Sequence, residues 1–192
     1  MKATNHGCLI AVVGASGAGK DSIIRAAHQH YQNHPRVGFV RRVITRPCDP
    51  ETEVHDTLTE EAFALAQRNG AFAVHWQANN LYYGIPASSM TEVAAGKVLI
   101  ANGSRAAIPQ FRTAYSELLV VHITVSNDML EMRLRRRKRE SDTQIKARLE
   151  RNNSMPALVG NDIIEIDNSA AREDSIQQFM AIIEERLTPS KE

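Results

Sequence analysis

A glycine-rich segment near the N-terminus limits the fold of this chain more than any other feature. It reads Gly14-Ala15-Ser16-Gly17-Ala18-Gly19-Lys20, and it stands between an apolar run at 8–13 and a helix-forming stretch at 22–27. Glycines at this spacing let consecutive backbone N–H groups surround a phosphate chain, while the helix N-terminus and the lysine add positive charge. The segment therefore predicts a strand, a phosphate-binding loop and a helix, with a nucleoside triphosphate as the ligand. A plain glycine-rich connector would leave Lys20 unexplained.

The residue after the lysine departs from the usual pattern of such loops. Serine or threonine commonly stands there and binds Mg²⁺, whereas this chain has Asp21 followed by Ser22. A carboxylate is also a good magnesium ligand. We therefore expect Asp21 or Ser22 to bind Mg²⁺, directly or through water.

Composition narrows the class of protein. The chain has 192 residues, of which 43% are hydrophobic and 23% charged, and this is enough for one folded domain with a full core. The net charge of +1 gives no overall attraction to nucleic acid or to a membrane surface. Two cysteines are too few for a disulfide framework or a zinc site, and Cys8 is expected in the core. The apolar run near the N-terminus is too short for a membrane span or signal peptide, which favours a cytoplasmic protein.

Strand-like and helix-like segments alternate along the chain, which predicts a parallel sheet with crossover helices. Strands are expected at 8–13, 37–44, 71–77, 82–86, 97–101, 118–125 and 162–166. Helices are expected at 21–32, at 60–68 after the N-cap Thr59, from Pro86 to Gly96, around 104–113, after the N-cap Asn127, after the capping box of Ser141 and Gln144, and at 172–187.

Several short motifs extend the interpretation beyond the glycine loop. The chain contains Val43-Ile44-Thr45-Arg46-Pro47, Gly70-Ala71-Phe72 and Leu81-Tyr82-Tyr83-Gly84. Together with the glycine loop and the arginine-rich segment after Asn127, these motifs resemble guanylate kinases over nearly the whole chain. A closer resemblance is to ribose 1,5-bisphosphate phosphokinases, and it rests also on Gly19-Lys20-Asp21-Ser22, Glu53-x-His55, Asn102-Gly103-Ser104-Arg105, Arg137-x-Arg139-Glu140-Ser141 and Ala147-Arg148-Leu149.

The resemblance implies a fold, a division of the chain and a reaction. It implies a P-loop kinase core of parallel strands and helices (7–36, 96–130 and 155–192), a small substrate-binding subdomain (about 37–95) and an arginine-rich lid (about 131–154). It implies phosphoryl transfer from ATP to ribose 1,5-bisphosphate, giving 5-phosphoribosyl 1-diphosphate, typically in bacterial phosphonate breakdown. By the same resemblance Asn168 belongs to the adenine-side loop, although a simple turn explains it equally well.

Two positions separate the two kinase families. A pocket that binds guanine needs hydrogen-bond acceptors for the N–H groups of the base, ideally carboxylates. Guanylate kinases supply one in the stretch matching 70–74 and another in the strand matching 97–102, whereas this chain has Val74 and Asn102 there. A buried polar site discriminates by orders of magnitude against a partner that lacks the right group. With the base-reading charge gone, the sequence favours an acceptor without a base.

Basic and polar residues near these positions suit a sugar with a phosphate at each end. Arginine forks bind phosphate oxygens in a bidentate manner, and a tyrosine hydroxyl can donate to a phosphate. The candidates for acceptor binding are Arg42, Arg46, His55, Tyr82, Tyr83, Asn102 and Arg105, with Arg41 close by. The alternative is that Tyr83 packs in the core and Arg42 is a solvated surface residue.

The segment 133–139 carries six positive residues in seven positions. A solvated helix end and a nucleic-acid surface are alternatives, but aromatic residues and a recognition motif are missing from it. The resemblance favours a lid in which Arg137, Arg139 and Arg148 approach the transferred phosphoryl group, while Lys20 and the backbone of 18, 19 and 21 hold the β- and γ-phosphates.

The sequence alone leaves three other functions open. They are a guanylate kinase with an unusual base pocket, a non-catalytic interaction module, and a GTPase. The intact loop around Lys20 disfavours the module, and the absence of an Asn-Lys-x-Asp motif disfavours the GTPase. We expect small-molecule partners only, without nucleic acid or membrane, and the oligomeric state stays open, a homodimer included.

Overall fold

The computed structural model describes residues 7–47, 55–136, 141–155 and 157–188, so Cys48, Arg137 and Arg139 lie outside the described residues. The strands are β1 (Cys8–Gly14), β2 (Val37–Phe39), β3 (Val43–Ile44), β4 (Asp56–Thr57), β5 (Phe72–Ala78), β6 (Leu81–Pro86), β7 (Val98–Asn102), β8 (Leu118–Thr124) and β9 (Ile163–Asp167). The helices are α1 (Lys20–Tyr31), α2 (Glu60–Arg68), α3 (Ser88–Ala94), α4 (Ile108–Ala114), α5 (Asn127–Arg136), α6 (Asp142–Ser154) and α7 (Arg172–Leu187), with a 3₁₀ turn at Arg105–Ala107 before α4.

A parallel sheet forms the centre of the molecule. Its strand order is β2-β7-β1-β8-β9, and every neighbouring pair is parallel. Helices cover both faces, as a sheet of buried, continuously apolar strands requires. On one face Ile10 and Val12 belong to a cluster with Phe179 of α7, and on the other Leu9 and Ala11 belong to a cluster with Phe111 of α4. The predicted parallel sheet with crossover helices is confirmed.

A second, smaller sheet has the order β4-β3-β6-β5. Strands β5 and β6 form an antiparallel hairpin whose turn residues, Asn79 and Asn80, both have positive φ, a conformation that asparagine tolerates well. Helix α2 covers one face of this sheet, where Phe63 stacks on Phe72 with ring centroids 4.5 Å apart. The other face carries Trp76, which joins the same core cluster as Phe111.

The prediction of one strand over 37–44 is wrong, because the chain passes from one sheet to the other within that stretch. The main-sheet ladder ends where the N–H of Val40 donates to the carbonyl of Ile100, at 2.8 Å. The second sheet begins two residues later, where the N–H of Asp56 donates to the carbonyl of Arg42, also at 2.8 Å. A continuous extended pattern therefore hides a change of partner strand.

The helix caps agree with the sequence in two of three cases. The Thr59 side chain accepts a hydrogen bond from the N–H of Ala62, and Ser141 and Gln144 form the predicted capping box. The prediction of Asn127 as an N-cap is wrong, because Asn127 is already helical and the hydroxyl of Ser126 accepts from the N–H of Met129, at 3.4 Å.

Two further expectations concern the core and the membrane. Cys8 is buried as predicted, and burial raises the pKa of its thiol to about 11, so the thiol stays neutral and unreactive. Among the helices of the described residues, none combines the length and the apolar character that a bilayer crossing demands.

Candidate active site

The glycine loop joins β1 to α1 at the carboxyl edge of the main sheet. The Nζ of Lys20, the first residue of α1, donates to the carbonyls of Gly14 at 2.8 Å and Ala15 at 3.0 Å. The lysine thus folds back over the start of the loop. In loops of this type the lysine reaches the β- and γ-phosphates of a bound nucleotide, and this role of Lys20 stays a prediction.

Two of the loop glycines are required by close approach as well as by backbone conformation. Gly14 has φ of +147°, and a Cβ there would lie 2.3 Å from the carbonyl oxygen of Ile123. Gly19 has φ of +101°, and a Cβ there would lie 2.3 Å from the amide nitrogen of Asn168. The loop is therefore held tightly against β8 and the residue after β9, in a shape that other residue types cannot adopt.

Asp21 lies next to the loop, on the exposed side of the first turn of α1. Its Oδ1 accepts a hydrogen bond from the Nδ2 of Asn102, at 2.8 Å. Asn102 ends β7, the strand beside β1, so the contact joins residues 81 positions apart in the sequence. The predicted metal ligand and one predicted acceptor-binding residue are thus direct partners, and Ser22 follows on the same turn.

Side chains from the predicted lid contact the loop. Arg148 of α6 donates from Nη1 to the hydroxyl of Ser16, at 2.7 Å. Arg133 of α5 donates to the carbonyls of Ala18, at 3.3 Å, and Asn168, at 2.8 Å. Helices α5 and α6 therefore lie over the phosphate-binding loop, while Arg137 and Arg139 fall between them, outside the described residues.

Asn168 is buried, with 1% of its surface exposed, at the end of β9. Its Nδ2 donates to the carbonyl of Ala18, at 2.6 Å, and its Oδ1 has no hydrogen-bond partner among the described residues. The amide therefore ties the loop to β9, and a role of Asn168 beside the adenine stays a prediction.

Arg42, which is predicted to bind the acceptor, is only 8% exposed, so the alternative of a solvated surface residue is wrong for it. Its guanidinium lies over the rings of Trp76 and Tyr83, 5.9 and 5.3 Å from their centroids. Those two rings stack on each other at 5.3 Å with an angle of 4° between their planes. Aromatic faces stabilise a buried cation and hold its fork in place.

Arg41, one residue earlier, differs from Arg42 in both exposure and partners. Its Nε pairs with Asp56 at 2.8 Å, and both side chains are more than half exposed. A pair of this kind contributes little to stability or binding. The structure therefore separates the two neighbours into a buried, oriented arginine and a surface arginine.

His55 and Arg46 lie together at the start of the second sheet. His55 is 1% exposed, and its Nε2 is 3.3 Å from the carbonyl of Arg46. The hydroxyl of Thr57 donates to the same carbonyl, at 3.0 Å. The backbone of Arg46 is thus fixed from two sides, which positions this residue of the Thr-Arg-Pro motif.

The two tyrosines of β6 point to opposite faces of the second sheet, as neighbouring strand residues do. Tyr83 faces Trp76 and Arg42, while Tyr82 faces Phe63, with ring centroids 5.7 Å apart. The structure therefore places Tyr83, but not Tyr82, on the face that carries Arg42.

Arg105 lies below the lid, on the 3₁₀ turn that follows β7. Its Nη2 donates to the Oδ1 of Asn152 in α6, at 3.0 Å. Burial lowers the pKa of its guanidinium, which nevertheless keeps its positive charge at neutral pH. Arg105 therefore places a partly buried cation against α6, in the predicted lid.

Sequence reasoning missed two residues of this site, Arg133 and Trp76. Arg133 belongs to the basic run. It differs from its neighbours because it lies on the same face of α5 as the buried Leu130 and Leu134. Arg135 and Arg136, by contrast, are exposed. Trp76 alternates with Val74 on the buried face of β5, which period-two spacing could have revealed.

The fold and this site together define a class of protein. A parallel sheet whose first strand leads into a glycine loop, a lysine and a helix is the framework of P-loop phosphotransferases. The solved guanylate kinase of Anaplasma phagocytophilum superimposes with a TM-score of 0.67 at 15% identity, over 96% of this chain and 88% of that one. This likeness establishes the fold.

Sequence comparison gives the family. The guanylate kinase family model matches residues 7–186. The ribose 1,5-bisphosphate phosphokinases of Agrobacterium fabrum and Brucella melitensis are each 45% identical to the chain, over 95% and 92% of its length and 100% and 92% of theirs. The chain therefore belongs to the guanylate kinase family and, within it, to the ribose 1,5-bisphosphate phosphokinases. A bifunctional ribose 1,5-bisphosphokinase-thymidine phosphorylase of Azorhizobium caulinodans is 37% identical to the chain. The match covers 95% of this chain and 26% of that longer protein.

Proposed function

We propose that this protein transfers the γ-phosphoryl group of ATP to the 1-phosphate of ribose 1,5-bisphosphate, giving 5-phosphoribosyl 1-diphosphate and ADP. One observation carries the choice of acceptor: neither position that would supply a charged acceptor to guanine does so. Val74 is a buried core residue without a polar side-chain atom, and the Asn102 amide donates to Asp21.

The charge of the acceptor side supports the same choice. Arg42 is buried and oriented by two aromatic rings, and Arg46 is fixed through its carbonyl. A bisphosphorylated sugar presents two dianionic phosphates to the guanidinium groups of these arginines. It has no base whose edge needs hydrogen-bond partners in one plane. A buried arginine next to a stacked tryptophan therefore fits phosphate capture better than base recognition.

The chemistry proposed requires no general base from the protein. A phosphate monoester has a second pKa near 6, so the 1-phosphate is largely a dianion at neutral pH and is itself the nucleophile. Its oxygen forms a bond to the γ-phosphorus while the bond from that phosphorus to the β–γ bridging oxygen breaks, and ADP leaves with the electron pair. The protein contributes positioning and charge stabilisation.

The donor end of the site fits ATP and a magnesium ion. The close approach at Gly14 and Gly19 fixes the shape of the loop, and the Lys20 ammonium adds a positive charge beside it. Asp21, exposed beside the loop, provides carboxylate oxygen of the kind that Mg²⁺ prefers. Bound there, the metal would neutralise charge on the β- and γ-phosphates, while Arg133, Arg148 and Arg105 lie on the lid side.

The product of the reaction tests this proposal. Incubation with ATP, Mg²⁺ and ribose 1,5-bisphosphate should release ADP and convert the sugar to a species heavier by one phosphoryl group, as mass spectrometry would show. ADP release without that product would indicate hydrolysis, and no release at high enzyme concentration would reject the proposed acceptor.

The neighbours Arg42 and Arg41 give a matched test of the acceptor pocket. We expect Arg42→Ala to raise the KM for the sugar by about 10- to 100-fold, because a charge-assisted bidentate contact is lost. Arg41→Ala should change it by less than about twofold, since Arg41 forms an exposed ion pair. Steady-state kinetics with ATP saturating measures both, and equal effects of the two changes would remove Arg42 from the pocket.

The proposed location of the protein and its proposed lack of a nucleic-acid partner follow from the two substrates. Both are small phosphorylated molecules of the cytoplasm, where we place the protein. Of the basic residues described in the lid, Arg133 and Arg148 contact the loop, and Arg135 forms exposed ion pairs, such as the one with Glu131 at 2.9 Å. This arrangement serves a small anion and not a nucleic-acid backbone.

A further inference from the structure

The hydrogen bond between Asp21 and Asn102 suggests an exchange of roles within the metal site. In P-loop enzymes a serine or threonine after the loop lysine and an aspartate from elsewhere in the site hold Mg²⁺ together. Each such pair contains one neutral polar group and one carboxylate. This chain also has one of each, but its carboxylate stands directly after the lysine and its neutral partner stands at the end of β7.

We propose that Asn102 is a positioning residue that orients the Asp21 carboxylate toward the metal, so that the two residues replace the serine-and-aspartate pair with their chemistry exchanged. The proposal rests on the proposed function only in requiring a metal-bound nucleotide. It assigns Asn102 to the donor end of the site, in place of a contact with the acceptor sugar.

Geometry supports the exchange. The 2.8 Å bond runs from an amide N–H to one carboxylate oxygen. Asn102 is buried and held in the ladder of β7, where it is the register partner of Val12 in β1. Asp21 is exposed at the helix start, where solvent alone would not hold its carboxylate in one orientation. A fixed donor on one side therefore restricts the orientation of the carboxylate, which is how outer partners of metal ligands raise affinity.

Charge explains why the two positions depend on each other. The native pair carries one negative charge, whereas the single change Asn102→Asp would bring two carboxylates into hydrogen-bond distance, where they repel. The double change Asp21→Ser/Asn102→Asp, by contrast, again leaves a single carboxylate beside a neutral polar group. We therefore expect the native pair and this double variant to favour metal binding, and each of the two single changes to weaken it.

Mn²⁺ binding to the protein–ADP complex tests the proposal without any acceptor present. Titration followed by electron paramagnetic resonance gives the Kd for Mn²⁺. We expect Asn102→Ala to weaken Mn²⁺ binding by about 10- to 100-fold and Asp21→Ser by at least as much. The double variant should bind Mn²⁺ at least about tenfold more tightly than Asp21→Ser alone. The control Asp128→Ser removes an exposed carboxylate from the first turn of another helix and should leave the Kd unchanged.

Two results would overturn the proposal. The first is an Asn102→Ala protein, folded by circular dichroism, that binds Mn²⁺ as the parent does while its KM for the sugar rises, which would return Asn102 to the acceptor site. The second is a double variant that binds Mn²⁺ no better than Asp21→Ser, and this comparison decides the matter even if Asn102→Ala fails to fold. Failure of this proposal can be distinguished from failure of the proposed function. A protein that does not phosphorylate ribose 1,5-bisphosphate would still show the expected changes in Mn²⁺ affinity.

Discussion

Replacing Lys20 with alanine is expected to lower kcat by about 10³-fold while leaving the fold intact. The ammonium group donates to the Gly14 and Ala15 carbonyls of the loop, and we propose that it contacts the phosphates of a bound nucleotide. Removing one preorganised charge from the transition state of such a transfer costs a factor of this size. Coupled measurement of ADP release with both substrates saturating gives the rate.

A second lysine provides the control for this experiment. Lys97 pairs with Glu92 at 2.8 Å on the surface, with 41% of its side chain exposed, so Lys97→Ala should keep kcat within about twofold. The circular dichroism spectrum should be unchanged in Lys20→Ala, because the lysine donates to loop carbonyls and is not part of the core. A folded Lys20→Ala protein that turns over like the parent would remove the lysine from catalysis.

Replacing Arg148 with alanine should lower kcat by about 10³-fold, with a smaller effect on the KM for ATP. Arg148 joins the lid helix α6 to the loop through the hydroxyl of Ser16, at 2.7 Å. We propose that Arg148 contacts the transferred phosphoryl group, and arginines that stabilise that charge contribute factors of about this order. Arg148→Lys should recover part of the rate, because it keeps the charge without the fork.

The lid itself contains a control of the same residue type. Arg135 pairs with Glu131, at 2.9 Å, and with Asp142 on the outside of the lid. Arg135→Ala should therefore leave kcat within about twofold. If Arg148→Ala and Arg135→Ala reduced kcat equally, lid stability and not contact with the phosphoryl group would explain the loss.

Features with a local cause could be predicted from the sequence. The C-terminal helix α7 spans 172–187 as expected, and Thr59 and the Ser141–Gln144 box begin their helices as expected, because each depends on hydrogen bonds within a few residues. The glycine loop was equally accessible, since the spacing of its glycines and lysine is typical of one backbone geometry.

Features that depend on distant partners could not be predicted in the same way. The change of sheet after Val40 is set by Ile100 on one side and by Asp56 on the other. The Asp21–Asn102 bond spans 81 positions, and the contact of Arg133 with Ala18 spans 115. Local periodicity reports that a residue is extended or helical, but it does not report which strand or loop that residue will meet.

We propose that the acceptor side of this site binds a small bisphosphorylated sugar and not a purine nucleotide. Competition between the two acceptors in one reaction tests it most directly: GMP and ribose 1,5-bisphosphate at equal concentration, with limiting ATP and both products quantified. We expect the sugar product to exceed GDP by about 100-fold, since a pocket that lacks polar partners for a ligand rejects it by about this order. Comparable amounts of GDP would contradict the claim.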